Sequence, residues 1–331
     1  MFQELLAFIA QAPSPCHTVR AGEAMLTEAG FSPLAWGKPW LLAPGGRYYT
    51  KAFGSSLLAF TVGSNSQRGL RIAAAHTDFP GFRVKTSAGL AKDGYGLVNV
   101  EPYGGLMLSS WLDRPLSLAG QIVLRGKDAF SPEVCLFDFA RPLLTIPRLA
   151  IHLDRKVNEG EKLDRQKSMT PLASLLKEEI GGEFFLEKLA REIGRAPEDV
   201  LAYDLNVYLA EPGALLGFDG EFISAPRLDN LTSVHACLSA LAASSAENGI
   251  RVVSLFDHEE VGAVQNKAPI PVCSRTFWKP SIAASPWTPT TSPTTSRRAS
   301  SSPWTPPTAC TRITRTKPTR RTARSSGRGS S

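Results

Sequence analysis

Leu70-Arg71-Ile72-Ala73-Ala74-Ala75-His76-Thr77-Asp78 is an apolar run that ends abruptly in polar residues, and Arg251-Val252-Val253-Ser254-Leu255-Phe256-Asp257-His258-Glu259-Glu260 repeats the arrangement far along the chain. Leu57–Val62 is a third such run, set off from the first by a Gly/Ser/Asn turn, and Gly46 to Tyr49 leads into it. Short apolar runs bounded by turn residues read as buried strands of one sheet. Open α/β sheets keep their chemistry at the carboxyl ends of the strands, where His76 and the charged residues after Phe256 fall. Residues 2–12 and 19–29 have helical spacing, with Phe2, Leu5, Leu6 and Ile9 in one and Ala21, Met25, Leu26 and Ala29 in the other. Gly22 weakens the second helix.

From about Val84 to Asn206 the texture changes. Gly96–Pro102, Leu116–Leu124 and Val134–Phe139 read as short antiparallel strands, with a Lys/Glu-rich helical stretch at 173–193. The α/β pattern resumes at Asp204–Leu209 and continues through a helix at 229–244. The expected fold is therefore α/β: a discontinuous three-layer domain of residues 1–83 and 207–262, interrupted by an inserted β-rich domain of residues 84–206.

The chain has 331 residues, 43% of them hydrophobic, with 37 Lys or Arg against 30 Asp or Glu. No apolar run is long enough to span a bilayer. The first residues lack a basic region and a cleavage site, so the expected location is cytoplasmic. Cys16, Cys135, Cys237, Cys273 and Cys310 are scattered, with no CxxC pair, which excludes a disulfide framework and a thiolate zinc site. The net charge of +7 suggests a nucleic-acid partner, but residues 263–331 hold 12 Lys or Arg and no Asp or Glu, leaving 25 basic and 30 acidic side chains elsewhere. That tail also holds 25 Ser or Thr and 10 Pro, a composition that cannot bury enough surface to order itself. It is expected to be disordered.

Three clusters offer oxygen or imidazole ligands just beyond apolar runs: His76-Thr77-Asp78, Arg227-Leu228-Asp229-Asn230 and Asp257-His258-Glu259-Glu260. A histidine can bind a metal through one ring nitrogen while a nearby aspartate orients the other. Adjacent glutamates leaving a strand point apart, so one can ligate while the other faces a water as general base. One aspartate can bridge two zinc ions about 3.5–4 Å apart, as in two-metal hydrolases. Each cluster also has a plainer role: strand-end His and Asp serve in turns, Glu-Glu is a common solvated loop, and Asp229 can cap the helix after it. It is their coincidence in one chain that points to a metal site.

His76-Thr77-Asp78-Phe79-Pro80-Gly81-Phe82, Tyr103-Gly104-Gly105 through Trp111-Leu112-Asp113-Arg114-Pro115-Leu116, Ile151-His152-Leu153, Arg227-Leu228-Asp229-Asn230-Leu231 and Asp257 through Gly262 resemble the successive signatures of the aspartyl aminopeptidase family. The resemblance runs in order from about residue 2 to 262. It implies a cytoplasmic two-zinc aminopeptidase that removes N-terminal, often acidic, residues and forms a large homo-oligomer through the inserted dimerisation and lid domain. It further implies that His76 ligates one zinc, Asp229 bridges both, Glu260 ligates, Glu259 is the general base and Asp78 orients His76. His152 would complete a neighbouring subunit's active site, touching substrate or metal. Taken alone in its apolar stretch, His152 reads as a core histidine. His and carboxylate ligands accommodate cobalt and manganese as well as zinc.

After Gly262 the resemblance stops, although the family continues and draws further ligands, an Asp and a His, from beyond. Taking the last base of each codon with the first two of the next, the run from Trp304 permits Met-Asp-Ala-Ala-His-Gly-Leu-His-Pro-Asn, similar to the family's missing segment. The same shift from Ala263 permits Ser-Arg-Thr-Lys-Gln-Gly-Ala. A frameshift near the Gly262 codon explains the tail's composition. Complete zinc sites are worth about 10–16 kcal/mol, so losing ligands weakens binding by several kcal/mol, and the chain as written is expected to be inactive or nearly so. The rival expectations are a noncatalytic remnant that still assembles through the inserted domain, another two-zinc exopeptidase such as a glutamyl or leucyl type, and nucleic-acid or acidic-membrane binding by the tail. The frameshift accounts for the last without selection for binding, so neither nucleic acid nor membrane is expected as a partner.

Overall fold

A computed structural model describes residues 2–176, 183–245 and 247–262, all of them in one unit bounded by Met1 and Trp287. The tail expected to be disordered, residues 263–331, lies outside the described residues. The helices are α1 (Phe2–Ala10), α2 (Pro15–Glu28), α3 (Phe184–Glu192), α4 (Leu228–Ala243) and α5 (Glu259–Gly262). The strands are β1 (Ser32–Pro33), β2 (Arg47–Ala52), β3 (Ser56–Val62), β4 (Asn65–His76), β5 (Gly81–Lys92), β6 (Tyr95–Tyr103), β7 (Leu116–Leu124), β8 (Glu133–Asp138), β9 (Leu172–Leu175), β10 (Val200–Leu209), β11 (Ala214–Leu216), β12 (Phe222–Ser224) and β13 (Asn248–Phe256).

The first sheet has five strands in the order β1-β2-β3-β13-β4, with β13 parallel to β4 and antiparallel to β3. Alternation along β3 divides its side chains: Leu57 and Ala59 face a core shared with α1, α2 and α4, while Leu58 and Phe60 face Trp40 and Val252. The second helix begins at Pro15, earlier than its apolar spacing indicated, because Ser14 caps it by accepting the His17 N–H at 3.4 Å. Gly22, read as a weakness of that helix, is what allows close packing. A Cβ there would meet Leu238 of α4 at 3.0 Å and Leu57 of β3 at 3.2 Å.

The strand at Leu70–Ala75 forms, but its expected burial does not hold. Among the described residues β4 pairs only with β13, so it is a sheet edge. Residues 71–74 are exposed, with Leu70 at 49% and Ile72 at 57%.

The second sheet has six antiparallel strands in the order β8-β7-β10-β5-β6-β9. Phe82, Val98, Val100, Leu118, Ile122, Leu205 and Val207 from this sheet form one core with Trp111 and with Phe184, Phe185 and Leu189 of α3. The stretch at 173–193 is not one helix: its beginning belongs to β9, and α3 spans only Phe184–Glu192. Asp204–Leu209, grouped by sequence with the α/β core, is part of β10, where Val207 pairs with Phe82 and Leu118. The boundary placed at residue 207 thus falls inside a strand of the six-stranded sheet.

Candidate metal centre

Parallel pairing of β4 and β13 sets His76 opposite Phe256, so the two strands end flush. The Thr77 N–H continues the pairing to Phe256 O at 2.7 Å, and its hydroxyl donates to Ser55 O at 2.8 Å. Everything polar in the two motifs therefore emerges side by side. Asp229 arrives from the first turn of α4, where its backbone is not helical.

Asp78 is fully buried and is the hub of the site. Its Oδ1 accepts the Glu259 N–H at 3.2 Å, and its Oδ2 accepts the Glu260 N–H at 3.1 Å and the Tyr103 hydroxyl at 2.8 Å. Burial alone would raise this carboxyl's pKa, but hydrogen bonds from His76, Tyr103 and the Glu260 N–H outweigh burial and hold it below the ordinary value. His76 Nδ1 lies 2.9 Å from the Asp78 carbonyl oxygen and 3.3 Å from Oδ1. A carbonyl only accepts, so Nδ1 carries the proton and Nε2 is left to face the remaining carboxylates. The backbone carbonyl, not the expected carboxylate, is the nearer of Asp78's contacts to the ring. Burial works against a charged His76, yet the Asp78 hydrogen bond and the charges of Asp78 and Glu259 leave its pKa raised.

His76 Nε2 stands 3.6 Å from Asp229 Oδ1 and 3.9 Å from Glu259 Oε2. One ligand atom from each of His76, Glu259 and Glu260 lies within 4.8 Å of the others. Two ligands of a tetrahedral zinc, each about 2.1 Å from it, sit about 3.4 Å apart, close to the nearer of these spacings. Glu260 is pushed up to about 7, first by burial and then by Asp78, Glu259 and Asp229, with His76 alone opposing. Several carboxylates gathered around one imidazole fit a divalent cation, which would relieve their repulsion. Asp229 and Glu259 are the exposed members, at 81% and 45%.

His152 is not brought to this cluster. It lies exposed in a turn between exposed Ile151 and Leu153, so it is no core histidine. The free thiols Cys16, Cys135 and Cys237 take no part in the cluster. Two features of the site went unseen in the sequence. One is the Tyr103 hydroxyl on Asp78. The other is a cavity of about 280 Å³ beside Asp229, lined by Phe79, Trp111, Tyr208 and Arg227. The Arg227 guanidinium lies 5.6 Å from the Phe79 ring and 5.5 Å from that of Tyr208. The Tyr103-Gly104-Gly105 motif was the available signal for the first, and nothing local announced the second.

Residues 8–268 match the Aminopeptidase I zinc metalloprotease (M18) family. The probable M18 family aminopeptidase 2 of Clostridium acetobutylicum is 39% identical over 265 residues, covering 79% of this chain and 61% of that protein. Its counterpart in Streptomyces coelicolor is 40% identical over 269 residues, covering 78% of this chain and 60% of that protein. Among solved structures, Ape4 in its complex with Nbr1 superposes with a TM-score of 0.75 at 31% identity, covering 83% of this chain and 58% of that one. The M18 aminopeptidase of Thermotoga maritima gives 0.69 at 25% identity, covering 84% and 63%. The Saccharomyces cerevisiae mApe1 dodecamer, at 24% identity and a TM-score of 0.71, shares the fold. The chain spans about three fifths of the length of the curated relatives it matches, 61% for the first. With its mixed α/β fold and a His and carboxylate cluster at the ends of two paired strands, the chain belongs to the M18 aminopeptidase I family of zinc metalloproteases.

Proposed function

We propose that this chain carries the amino-terminal share of a two-zinc aminopeptidase site, built to release N-terminal residues, acidic ones among them, from peptides. The observation that carries this reading is the convergence of His76, Glu259 and Glu260 within 4.8 Å, with Asp229 at 3.6 Å from the imidazole. His76, Asp229 and Glu260 would hold the metal, and their imidazole and carboxylate donors would accept cobalt or manganese as well as zinc. Zinc bound here supplies Lewis acidity toward a peptide carbonyl and makes water acidic enough to attack it. Glu259, the more exposed glutamate, takes the water's proton and returns it to the departing amine, while Asp78 fixes the His76 ring.

As written, the chain binds zinc weakly and does not turn over, because the remaining ligands are encoded in another frame after about Gly262. The shifted-frame resemblance of the tail supports this. The test is to purify the 331-residue chain beside its frame-restored product, then measure zinc binding by calorimetry and release of N-terminal Asp and Leu. Turnover above background by the chain as written overturns the inactivity. Failure of the frame-restored protein to cleave any N-terminal residue overturns the aminopeptidase reading.

A second reading, a noncatalytic remnant that assembles with copies of itself, is favoured by the exposed apolar run around His152. Leu149, Ile151 and Leu153 are 61%, 46% and 75% exposed. They would be covered in a cytoplasmic homo-oligomer, where His152 would reach a neighbour's site. Light scattering on the purified chain decides it, since a monomer at all concentrations excludes this reading.

A further inference from the structure

We propose that Tyr103 and Gly104 are positioning residues of the metal centre, through which the six-stranded sheet holds the donors delivered by the five-stranded one. This rests on the metal-centre reading above. Tyr103 is the last residue of β6, paired with Gly81 at the start of β5, and it is 8% exposed. Its hydroxyl donates to Asp78 Oδ2 at 2.8 Å. With its single proton so used, the oxygen accepts from His258 Nδ1 at 3.1 Å. The Arg83 guanidinium lies over the Tyr103 ring, 4.7 Å from its centroid, and is tied to Asp204 of β10 at 3.0 Å. A chain of contacts therefore runs from β10 through Arg83 and Tyr103 to Asp78, which holds both His76 and the backbone of Glu259 and Glu260.

Gly104 acts on the other side of the cluster. Its φ is +70°, and a Cβ at this position would stand 2.9 Å from Glu260 Oε2 and 3.0 Å from Glu260 Cβ. The Glu260 side chain thus lies directly on the glycine backbone. Any larger residue would strain the turn and push Glu260 aside. Two of the three gathered donors, His76 and Glu260, depend for their placement on the end of β6.

The experiment titrates the full chain with Co2+ alone, following visible absorption for wild type, Tyr103→Phe, Asp78→Asn, the double variant and Gly104→Ala, with circular dichroism to confirm folding. Tyr103→Phe is expected to weaken Co2+ about tenfold, within the range for residues that support metal ligands. Asp78→Asn should weaken it at least as much. The double variant should be no weaker than Asp78→Asn, because the hydroxyl acts through Asp78. Gly104→Ala should weaken binding and shift the absorption band by moving Glu260. If wild type saturates and Tyr103→Phe matches it, or its effect multiplies with that of Asp78→Asn, the proposal is overturned while the metal centre stands. The same variants are made in the frame-restored product, which carries the full ligand set; if that product shows no Co2+ saturation either, the metal-centre reading falls and takes this proposal with it.

Discussion

His76 and Phe256 are direct partners in the parallel pairing of β4 and β13, and this register brings together two motifs that lie far apart in the chain. A one-residue slip would turn one motif's side chains to the opposite face of the sheet. The gathering of these donors therefore depends on strand register as much as on the residues themselves.

Glu259 and Glu260 are adjacent in sequence, and their substitutions should separate. Glu260→Gln is expected to lower zinc affinity by about tenfold or more, as loss of a ligand does, whereas Glu259→Gln should leave it within about threefold. Calorimetric zinc titrations of the two variants check this. The opposite order would exchange their roles.

His17 makes stability fall in mild acid. Burial, reinforced by Arg20, pushes its pKa down to about 4, and its Nε2 is buried without a partner. The unfolded chain takes up this proton near pH 6.5 and the folded one only near 4. Stability is thus fully present above about pH 6.5 and is lost as pH falls toward 4, by up to about 3 kcal/mol. Urea unfolding at pH 7.5 and 4.5 should show this loss, and His17→Gln should reduce it.

Gly22→Ala gains about 1 kcal/mol of helix propensity in principle. The added methyl would press on Leu238 and Leu57 at 3.0 and 3.2 Å, so a net destabilisation of about 1–2 kcal/mol is expected. Chemical denaturation measures it, and a more stable variant would show that α2 moves away from the sheet easily.

Ile72 is 57% exposed on the edge strand β4. Replacing it with lysine should change stability by no more than about 0.5 kcal/mol. Because exposed apolar edges template strand pairing between chains, Ile72→Lys should also reduce concentration-dependent aggregation, measured by light scattering. A large loss of stability would mean that the side chain is covered.

Local patterns made much of this molecule legible. Apolar runs located β3, β4 and β13, alternation located β6, β7 and β8, and abrupt polar endings singled out His76, Asp78, Asp229, Glu259 and Glu260. Each of these signals is carried by neighbours in the chain, through side-chain periodicity and the chemistry of strand ends. Burial of β4, the assignment of Asp204–Leu209 and the start of α2 were misread where the deciding partner was elsewhere. An apolar run is the same sequence at a sheet edge as at its centre.

What the sequence by itself determined is the α/β class, the polar clusters that follow its apolar runs and the break in character after Gly262, because composition and periodicity are properties of contiguous residues. What only the tertiary structure decided is which atoms meet. His76 rests on the carbonyl of Asp78, Tyr103 crosses from the second sheet to hold that same residue, and His152 stands away from the cluster in an exposed turn. These are long-range contacts set by sheet register and by the packing of one sheet's end against another, and no local pattern of residues encodes them.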